Sequence, residues 1–465
     1  MTWRTKLGTT NPTAPTPADP ASVFASPYGT GPIQAEVDAV AERLGSLPPL
    51  VTSFEVEKLK GLLSEAEAGK RFLLWGGDCA ETLSDCRPDV ITSKLKILLQ
   101  MSLVLVYAGK QPVIRVGRLA GQYAKPRSSM TETRTVDGQS VSLPSYMGDL
   151  INRAEFSERS RRPDPGLMLE GYKHAAMTIN FVRSLLHAGF ADIHHPEYWD
   201  LGFLQKAALT PEVRSEYQRL TDRLRDGVRF MEAVGERGFE QLSAVDFYTS
   251  HEALNLWYEA SLTRKVPRRE GFYNLSTHLP WLGERTRKLG GAHIEYFRGI
   301  ANPVGVKIGP STSASELQEL MRTLSPQGSA GKLVLIARLG AAKVRAALPG
   351  LIKASQDSGV RALWVCDPMH GNSMTTKSGR KTRSFDDIAR EMEESIEIHD
   401  REGSRLGGVH IELTGQDVTE CVGGAMGLTE DDLDRNYDTL CDPRLNYEQS
   451  LELAFKLARR LGGGR

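Results

Sequence analysis

The chain has 465 residues, of which 40% are hydrophobic and 25% are charged, proportions typical of a soluble globular protein rather than a fibre or a disordered chain. Its 58 lysines and arginines balance 58 aspartates and glutamates. A balanced charge gives no global basic field for a nucleic-acid backbone or an anionic membrane, so we expect neither partner. Any anion-binding site must therefore be local.

The N-terminus lacks the continuous apolar core of a signal peptide, and no later stretch reads as long enough to cross a bilayer. These features predict a cytoplasmic protein. We also expect neither a disulfide framework nor a structural zinc knuckle, because the five cysteines are scattered without CxxC spacing: Cys79, Cys86, Cys366, Cys421 and Cys441.

The first 31 residues are rich in Pro, Thr, Ala and Gly and show no apolar periodicity, which predicts a flexible or loosely docked arm over 1–31. Residues 32–465 are predicted to form a single domain. It begins with two helices, at 34–47 and 54–69, whose apolar residues recur at helical spacing; Gly69 suits the end of the second. A charged stretch at about 203–236 predicts an extra helical pair.

Beyond residue 70, short apolar runs that end in glycine or polar residues alternate with helical segments. This alternation predicts a parallel sheet. We count one candidate strand more than eight. Roughly eight strands that end in charged or metal-binding residue types favour a closed (β/α)8 TIM barrel with its site at the carboxyl ends of the strands. A doubly wound open sheet is the alternative, but it would normally carry a glycine-rich phosphate fingerprint, and GGDCAE is neither GxGxxG nor a P-loop.

Four potential metal ligands follow strands or lie in a loop near the C-terminus: Cys79, His370, Glu412 and Asp442. A thiolate, an imidazole and two carboxylates suit a borderline divalent ion such as Mn2+, Co2+, Fe2+ or Zn2+, and the donor types do not choose among them. A lone strand cysteine is usually a buried apolar residue and a lone histidine a structural one. Only the four together favour a metal site.

Basic side chains and one serine follow the same strand ends: Arg118, Lys125, Arg127, Ser128, Arg285, Lys307 and Arg338. Cationic groups at the ends of apolar strands are costly to hold without anionic partners. Two phosphorylated substrates would provide such partners. The alternative is that each cation simply pairs with a neighbouring carboxylate.

The motifs GGDCAET, RLAGQYAKPRS, WLGERTR, GAHIEYFRGIANPVGVKIGP, CDPMHGN, GQDVTECVGGA and CDPRLN resemble the type II, or plant-type, 3-deoxy-D-arabino-heptulosonate 7-phosphate (DAHP) synthases. The resemblance runs from about residue 35 to the end. It implies a transferase on a (β/α)8 barrel with an N-terminal extension, assembled as a homodimer or homotetramer. The implied reaction condenses phosphoenolpyruvate with erythrose 4-phosphate, the first step of the shikimate pathway towards chorismate and the aromatic amino acids.

The resemblance also implies roles for individual residues. Cys79, His370, Glu412 and Asp442 match the divalent-metal ligands, with Mn2+ or Co2+ as the expected ion. Lys125, Arg127 and Ser128 match the part that holds the sugar phosphate. The phosphoenolpyruvate site matches Arg118, Glu284, Arg285, Lys307 and Arg338, and of these we take Arg118, Glu284 and Lys307, together with His370, as catalytic. Glu284 either positions water or pairs with the cations.

Departures from the family pattern at Trp75, Met147, Ala341, Ala342 and Arg405 leave the sugar substrate open. An amino-DAHP synthase of secondary metabolism is therefore one alternative. A catalytically inactive regulatory homologue is another, although four intact ligand positions count against it. The resemblance further implies regulation by an aromatic amino acid and a chorismate mutase partner.

Cys441 precedes Asp442, which must reach the same ion as Cys79. We therefore expect the Cys79 and Cys441 sulfurs to be close enough for a disulfide when metal is absent.

Overall fold

The computed structural model describes residues 26–28, 33–127, 129–188, 246–462 and the single positions 211, 214, 215, 218, 219 and 222. Three predictions fall wholly or largely outside the described residues: most of the arm over 1–31, the candidate strand at 190–195 and the helical pair at about 203–236. The single domain over 32–465 likewise stays a prediction.

An eight-stranded parallel sheet forms the centre of the described chain. Its strands are β1 (Phe72–Gly77), β2 (Val113–Arg118), β5 (Tyr248–Ser250), β8 (Trp281–Leu282), β9 (Val304–Ile308), β10 (Leu333–Ala337), β11 (Leu363–Cys366) and β14 (Leu406–Glu412). They pair in the order β5-β2-β1-β14-β11-β10-β9-β8. Three hairpins complete the strands: β3 (Thr131–Val136) with β4 (Gln139–Pro144), β6 (Thr263–Arg264) with β7 (Tyr273–Asn274), and β12 (Ser373–Thr375) with β13 (Lys381–Arg383).

The two outer strands of this sheet, β5 and β8, meet and close the circle. Glu252 forms a parallel bridge with Trp281, whose backbone N–H donates to the carbonyl oxygen of His251 at 3.1 Å. The N–H of Ala253 donates to the carbonyl of Trp281 at 3.1 Å. The barrel prediction is therefore confirmed, and the open-sheet alternative is wrong.

Eleven α-helices accompany the strands in the described residues. They are α1 (Gln34–Ser46), α2 (Ser53–Glu67), α3 (Pro88–Gly109), α4 (Glu158–Arg161), α5 (Leu167–His187), α6 (Leu256–Ser261), α7 (Ala292–Arg298), α8 (Ala314–Leu324), α9 (Val344–Asp357), α10 (Phe385–Arg401) and α11 (Tyr447–Gly462). Both helices predicted ahead of the barrel, α1 and α2, are confirmed. The helices that follow the strands cover the outer face of the sheet.

Successive residues along a strand belong alternately to two apolar layers, one between the sheet and its helices and one inside the barrel. In β1, Phe72 and Leu74 belong to the layer between the sheet and its helices, whereas Leu73 and Trp75 point into the barrel. Strand residues alternate between the two faces of a sheet, so a barrel strand buried on both faces reads as a continuous apolar run. This explains why FLLWGG shows no polar alternation.

Helix α2 closes the amino-terminal end of the barrel. It begins at a capping box, in which Thr52 and Glu55 satisfy each other's backbone N–H groups. It ends two residues before Gly69, whose φ of +73° confirms the predicted helix stop. Leu59 and Leu63 are fully buried in the same cluster as the interior strand residues. We call this end of the barrel the floor.

Helix α3 corrects the expectation that no segment has the length to cross a bilayer. Residues 88–107 are long and apolar enough by length and composition, but 67% of this window is buried inside the protein. The helix packs between α11 and strands β1 and β2. Its apolar character is that of a core helix.

Residues 26–28, the described end of the arm, pack against the body. The side-chain amide of Asn255 donates to the Tyr28 hydroxyl at 2.8 Å, and the Trp257 indole donates to the Ser26 hydroxyl at 3.0 Å. All five cysteines lie in the described residues and are free, as predicted.

Candidate active site

The carboxyl ends of the strands gather the predicted polar residues at one end of the barrel, which we call the mouth. Gly77, the last residue of β1, pairs in register with Arg118 of β2 and with Glu412 of β14. Its φ is +142°, and a Cβ there would lie 2.7 Å from the Arg118 carbonyl oxygen. Position 77 needs a glycine because the backbones of β1 and β2 approach so closely. This close approach places Cys79 beside the side chains of Arg118 and Glu412.

The four predicted metal ligands meet at this mouth. The ligand atoms of Cys79, Glu412 and Asp442 all lie within 4.8 Å of one another, and all three residues are buried. The backbone N–H of Asp442 donates to the Cys79 sulfur at 3.3 Å. His370 approaches from the β11 side, with its Nε2 3.0 Å from the Glu412 Oε1.

Ammonium groups neutralise these donors in the structure. Lys125 contacts the Cys79 sulfur and the Asp442 carboxylate and lies 3.9 Å from Glu412, while Lys381 contacts the other Asp442 oxygen. Burial alone would lower the pKa of Lys125, but Asp442, Cys79 and Glu412 raise it well above its usual value. A thiol, an imidazole and two carboxylates that already surround a cation fit a borderline divalent ion.

Glu412 is held by cations from several sides. Arg118 donates to its Oε1 at 2.8 Å, and Arg383 donates to its Oε2 at 2.8 Å. Burial opposes ionisation of Glu412, but His370, Lys125 and the two arginines lower its pKa well below the usual range. His370 is oriented in turn by Asp367, whose Oδ2 lies 2.7 Å from the ring Nδ1. This is the second contact that fixes the tautomer of a metal-binding histidine.

A stacked pair of rings supports Arg118 from below. Its guanidinium lies 2.7 Å from His410 Nε2, and that ring stacks on Trp75 with centroids 4.3 Å apart and planes 10° apart. Burial, reinforced by Lys307 and Arg118, lowers the pKa of His410 well below its usual value, so the neutral ring accepts from Arg118. The Trp75 indole donates to the Ser250 hydroxyl at 2.6 Å. One of the departures from the family pattern therefore lies directly beneath the site.

A cavity of about 360 Å³ opens above these groups, lined by Lys125, Pro126, Glu252, Gly283, Glu284, Arg285, Lys307, Arg338, His370 and Asp442. Arg338 pairs with Glu284 and donates to the His370 carbonyl at 2.8 Å. Lys307 pairs with Asp367, yet burial holds its pKa below the usual value.

Lys125, Lys307 and Arg338 therefore pair with carboxylates and also line one cavity. Arg118 pairs with Glu412 beside this cavity. Arg285 is exposed at its rim. Arg127 lies next to the metal donors, with a guanidinium nitrogen 3.4 Å from the Cys441 sulfur. Ser128 lies outside the described residues.

The Cys79 and Cys441 thiols influence each other's ionisation. The interaction with Cys79 lowers the pKa of Cys441 to about 6, while burial and then this same interaction raise the pKa of Cys79 well above its usual value. That the two sulfurs are close enough for a disulfide stays a prediction.

Five site residues escaped the sequence interpretation: Glu252, Asp367, Lys381, Arg383 and His410. Asp367 follows β11 directly and Glu252 lies two residues after β5, so position alone could have indicated them. Lys381 and Arg383 lie on the β12–β13 hairpin, where the sequence carries no strand-end signal.

Glu252 is the most distinctive of these missed residues. It lines the cavity, its Oε1 has no hydrogen-bond partner among the described residues, and burial raises its pKa.

Comparison with known proteins agrees with this geometry. Residues 29–458 match the class-II DAHP synthetase family. A phospho-2-dehydro-3-deoxyheptonate aldolase of Neurospora crassa is 46% identical over 443 residues, covering 92% of this chain and 90% of that protein. The enzyme of the same name from Streptomyces coelicolor is 45% identical over 420 residues, covering 90% and 91%, respectively.

A third relative and one solved structure complete the comparison. Phospho-2-dehydro-3-deoxyheptonate aldolase AroG of Mycolicibacterium smegmatis is 42% identical over 423 residues, covering 90% of this chain and 89% of that protein. The solved phospho-2-dehydro-3-deoxyheptonate aldolase of Francisella tularensis covers 91% of this chain and 97% of its own, at 13% identity and a TM-score of 0.48.

The barrel and these relatives thus define an enzyme built on a (β/α)8 barrel. The chain belongs to the class-II DAHP synthetase family, and the resemblance indicated by its motifs is confirmed. The prediction that it is a DAHP synthase is confirmed with it.

Proposed function

We propose that the chain condenses phosphoenolpyruvate with erythrose 4-phosphate and water, in a metal-dependent reaction within the mouth cavity. A carbon–carbon bond forms between the methylene carbon of the enol phosphate and the sugar aldehyde, whose oxygen takes up a proton. Water adds at the enol carbon, and inorganic phosphate leaves by carbon–oxygen cleavage. The observation that carries the proposal is a cluster of a thiol, an imidazole and two carboxylates, of which His370 and Asp442 line a cavity of about 360 Å³ together with several cations.

Phosphoenolpyruvate requires cations for both its carboxylate and its phosphate. Arg118 is rigidly supported by His410 and Glu412, and Arg338 and Lys307 reach the cavity from neighbouring strands. Arg285, exposed at the rim, completes the set. Guanidinium groups bind carboxylate and phosphate by paired charge-assisted hydrogen bonds, which fix orientation as well as affinity.

Cys79, His370, Glu412 and Asp442 would hold the divalent ion, with Mn2+ or Co2+ as our choice and Zn2+ or Fe2+ as alternatives. When bound, the ion supplies Lewis-acid polarisation of the sugar aldehyde. It would also replace Lys125 as the counter-charge of the donors. Lys125 would then join Arg127 and Ser128 in binding the sugar phosphate.

Two carboxyl groups face the reacting carbons from the cavity wall. Glu284 is held by Arg338, which fixes its carboxyl group in the cavity wall, where it is suited to orient the water that adds to the enol carbon. Glu252 has a buried oxygen without a partner in the described residues and a raised pKa, so it is our candidate for the proton donor to the aldehyde oxygen.

Metal removal gives the direct test. EDTA should abolish both phosphoenolpyruvate consumption and phosphate release, and Mn2+ or Co2+ should restore them, because the ligands must bind in their deprotonated forms. His370→Ala should remain inactive after metal is added. Full activity of metal-free enzyme would overturn the metal assignment. Replacing erythrose 4-phosphate by an imino sugar phosphate distinguishes the amino-DAHP alternative, which predicts faster turnover with the imino substrate.

We further propose a cytoplasmic homodimer or homotetramer, regulated by an aromatic amino acid and by contact with a chorismate mutase. Analytical ultracentrifugation measures the assembly. An effector at a hundred times its dissociation constant stabilises the folded protein by about 2.7 kcal/mol, which thermal denaturation detects. No shift with Trp, Phe, Tyr or chorismate would indicate an unregulated enzyme.

A further inference from the structure

Two loops at the mouth carry residues of the site on neighbouring strands. The Arg338 loop (residues 338–343) follows β10, and the His370 loop (residues 367–372) follows β11. The loops touch backbone to backbone, because a Cβ on Gly340 would lie 2.7 Å from the Gly371 carbonyl oxygen. A Cβ on Gly371 would lie 2.3 Å from the Gly340 nitrogen. Neither loop can shift independently without opening this contact.

One carboxylate joins the two loops. Glu391 lies on helix α10, outside the barrel, and is only 1% exposed. Its Oε1 accepts from the backbone N–H groups of Leu339 at 2.8 Å and Gly340 at 2.7 Å. Its Oε2 accepts from the side-chain amide of Asn372 at 2.7 Å. The carboxylate therefore bonds one loop with each oxygen.

Asn372, in the His370 loop, also binds the Arg338 loop directly. Its Oδ1 accepts from the Ala341 N–H at 2.9 Å, and its amide nitrogen also donates to the Pro368 carbonyl at 2.8 Å. The orientation of this amide is thus fixed, with both of its donor hydrogens and its oxygen in use. Burial raises the pKa of Glu391 to about 8, but each of its oxygens faces only donors, so the geometry favours the ionised carboxyl group, in which both oxygens accept.

We infer that Glu391 is a positioning residue that holds the Arg338 and His370 loops together as one unit through Asn372. The loops then present the Arg338 guanidinium and the His370 imidazole at a fixed separation, which the bond from Arg338 to the His370 carbonyl completes. The inference rests on the proposed function, in which Arg338 binds phosphoenolpyruvate and His370 binds the metal. Glu391 touches neither and acts through the two loops.

The test compares variants of two carboxyl groups that bind the backbone beyond opposite ends of β10. Glu391→Gln keeps an acceptor for the two backbone N–H groups but turns an amide donor towards the Asn372 amide donor. Glu67→Gln is the matched control, since Glu67 accepts from the backbone N–H of Gly331 at 2.7 Å, two residues before β10 begins at the floor. Thermal denaturation of both variants controls for folding.

Two readouts, measured on three variants, separate positioning from a general structural effect. Glu391→Gln should raise the KM for phosphoenolpyruvate about tenfold and weaken Mn2+ binding, measured by the loss of free-ion paramagnetic resonance, about tenfold. Glu67→Gln should change neither by more than about twofold. Asn372→Asp added to Glu391→Gln restores a donor–acceptor pair and should recover part of both losses. Equal binding by the two single variants, or no recovery in the double variant, would overturn the inference.

Hydrogen exchange keeps this test separate from the proposed function. Glu391→Gln should accelerate amide exchange in peptides spanning both loops, whereas Glu67→Gln should not. If the wild-type protein binds neither Mn2+ nor phosphoenolpyruvate, the proposed function fails, and the exchange data still decide whether Glu391 joins the loops. Acceleration in one loop alone would overturn the connection.

Discussion

The two ends of the barrel differ in polarity: the floor is apolar and the mouth is charged. At the floor, α2 packs Leu59, Leu63 and Ala66 against the apolar interior of the strands. At the mouth, the same strands end in Arg118, Glu412 and other buried ions whose charges are compensated only by one another. Burying apolar surface stabilises a fold, whereas burying ion pairs costs desolvation that their attraction only partly offsets.

This contrast indicates a division of labour between stability and chemistry. The floor can be apolar because nothing needs to enter there. The mouth must hold charges whose partners can be exchanged, because the proposed substrates and ion would replace some of these partners when they bind. Changes at the floor should therefore alter stability with little effect on turnover, and changes at the mouth should do the reverse.

Oxidation of the metal-free enzyme is expected to have the largest effect. The interacting Cys79 and Cys441 thiols should form a disulfide that removes a proposed metal ligand and abolishes activity, with recovery on adding a thiol reductant. Metal-loaded enzyme should resist, because a bound thiolate is protected. Mass spectrometry measures the crosslink. Two alkylatable thiols after oxidant treatment would exclude this switch.

Arg338→Met tests the mouth. It should lower kcat/KM by about 10²–10³-fold, the usual loss when one charged group at a reacting centre is removed. Its pair with Glu284 is partly exposed, so the free energy of unfolding should change by less than about 1 kcal/mol. Steady-state kinetics and urea denaturation measure both quantities. A large stability loss with unchanged kinetics would reverse the proposed division.

Leu63→Ala tests the floor. Truncation of this fully buried leucine should lower the free energy of unfolding by about 2–5 kcal/mol through lost burial and a residual cavity. The KM and kcat of the folded enzyme should stay within about twofold of wild type. Phe54→Ala, a 69% exposed position on the same helix, serves as the control and should barely affect stability. Loss of turnover without loss of stability would contradict the comparison.

Lys332 sharpens the comparison because it is a buried cation near the floor. Its ammonium donates to the carbonyl oxygens of Ile300 at 2.7 Å and Asn302 at 2.6 Å, and burial lowers its pKa to about 7. Between pH 7 and the usual lysine pKa of about 10.4 the unfolded chain binds more protons, so stability should rise with pH.

We expect this rise to be about 1–2 kcal/mol between pH 7.5 and 9.5, since the two hydrogen bonds favour the charged form and limit it. Urea denaturation of wild type and Lys332→Met at several pH values measures the difference. The rise should be absent from the variant. An identical pH profile for both proteins would show that Lys332 stays charged.

The sequence by itself determined the barrel and most of the site. Apolar runs that end in glycine or polar residues recur with helices between them, and parallel strands must bring their carboxyl ends together. Arg118 and Arg338 stand at or directly after a strand end, and Lys307 stands one residue before one. Cys79, His370 and Glu412 stand at a strand end or within four residues after it, so local position was enough to assign all six to one mouth. Asp442 was assigned from a loop near the C-terminus, and motif resemblance added the individual roles and the reaction.

Only the tertiary structure decided what supports these residues. Glu391 lies on the outer helix α10, and Trp75 and His410 lie inside strands, where burial and helix formation already explain a residue without any role at the site. Arg383 reaches Glu412 from a hairpin. Such contacts depend on distances between segments far apart in the chain, and no local periodicity or spacing encodes them.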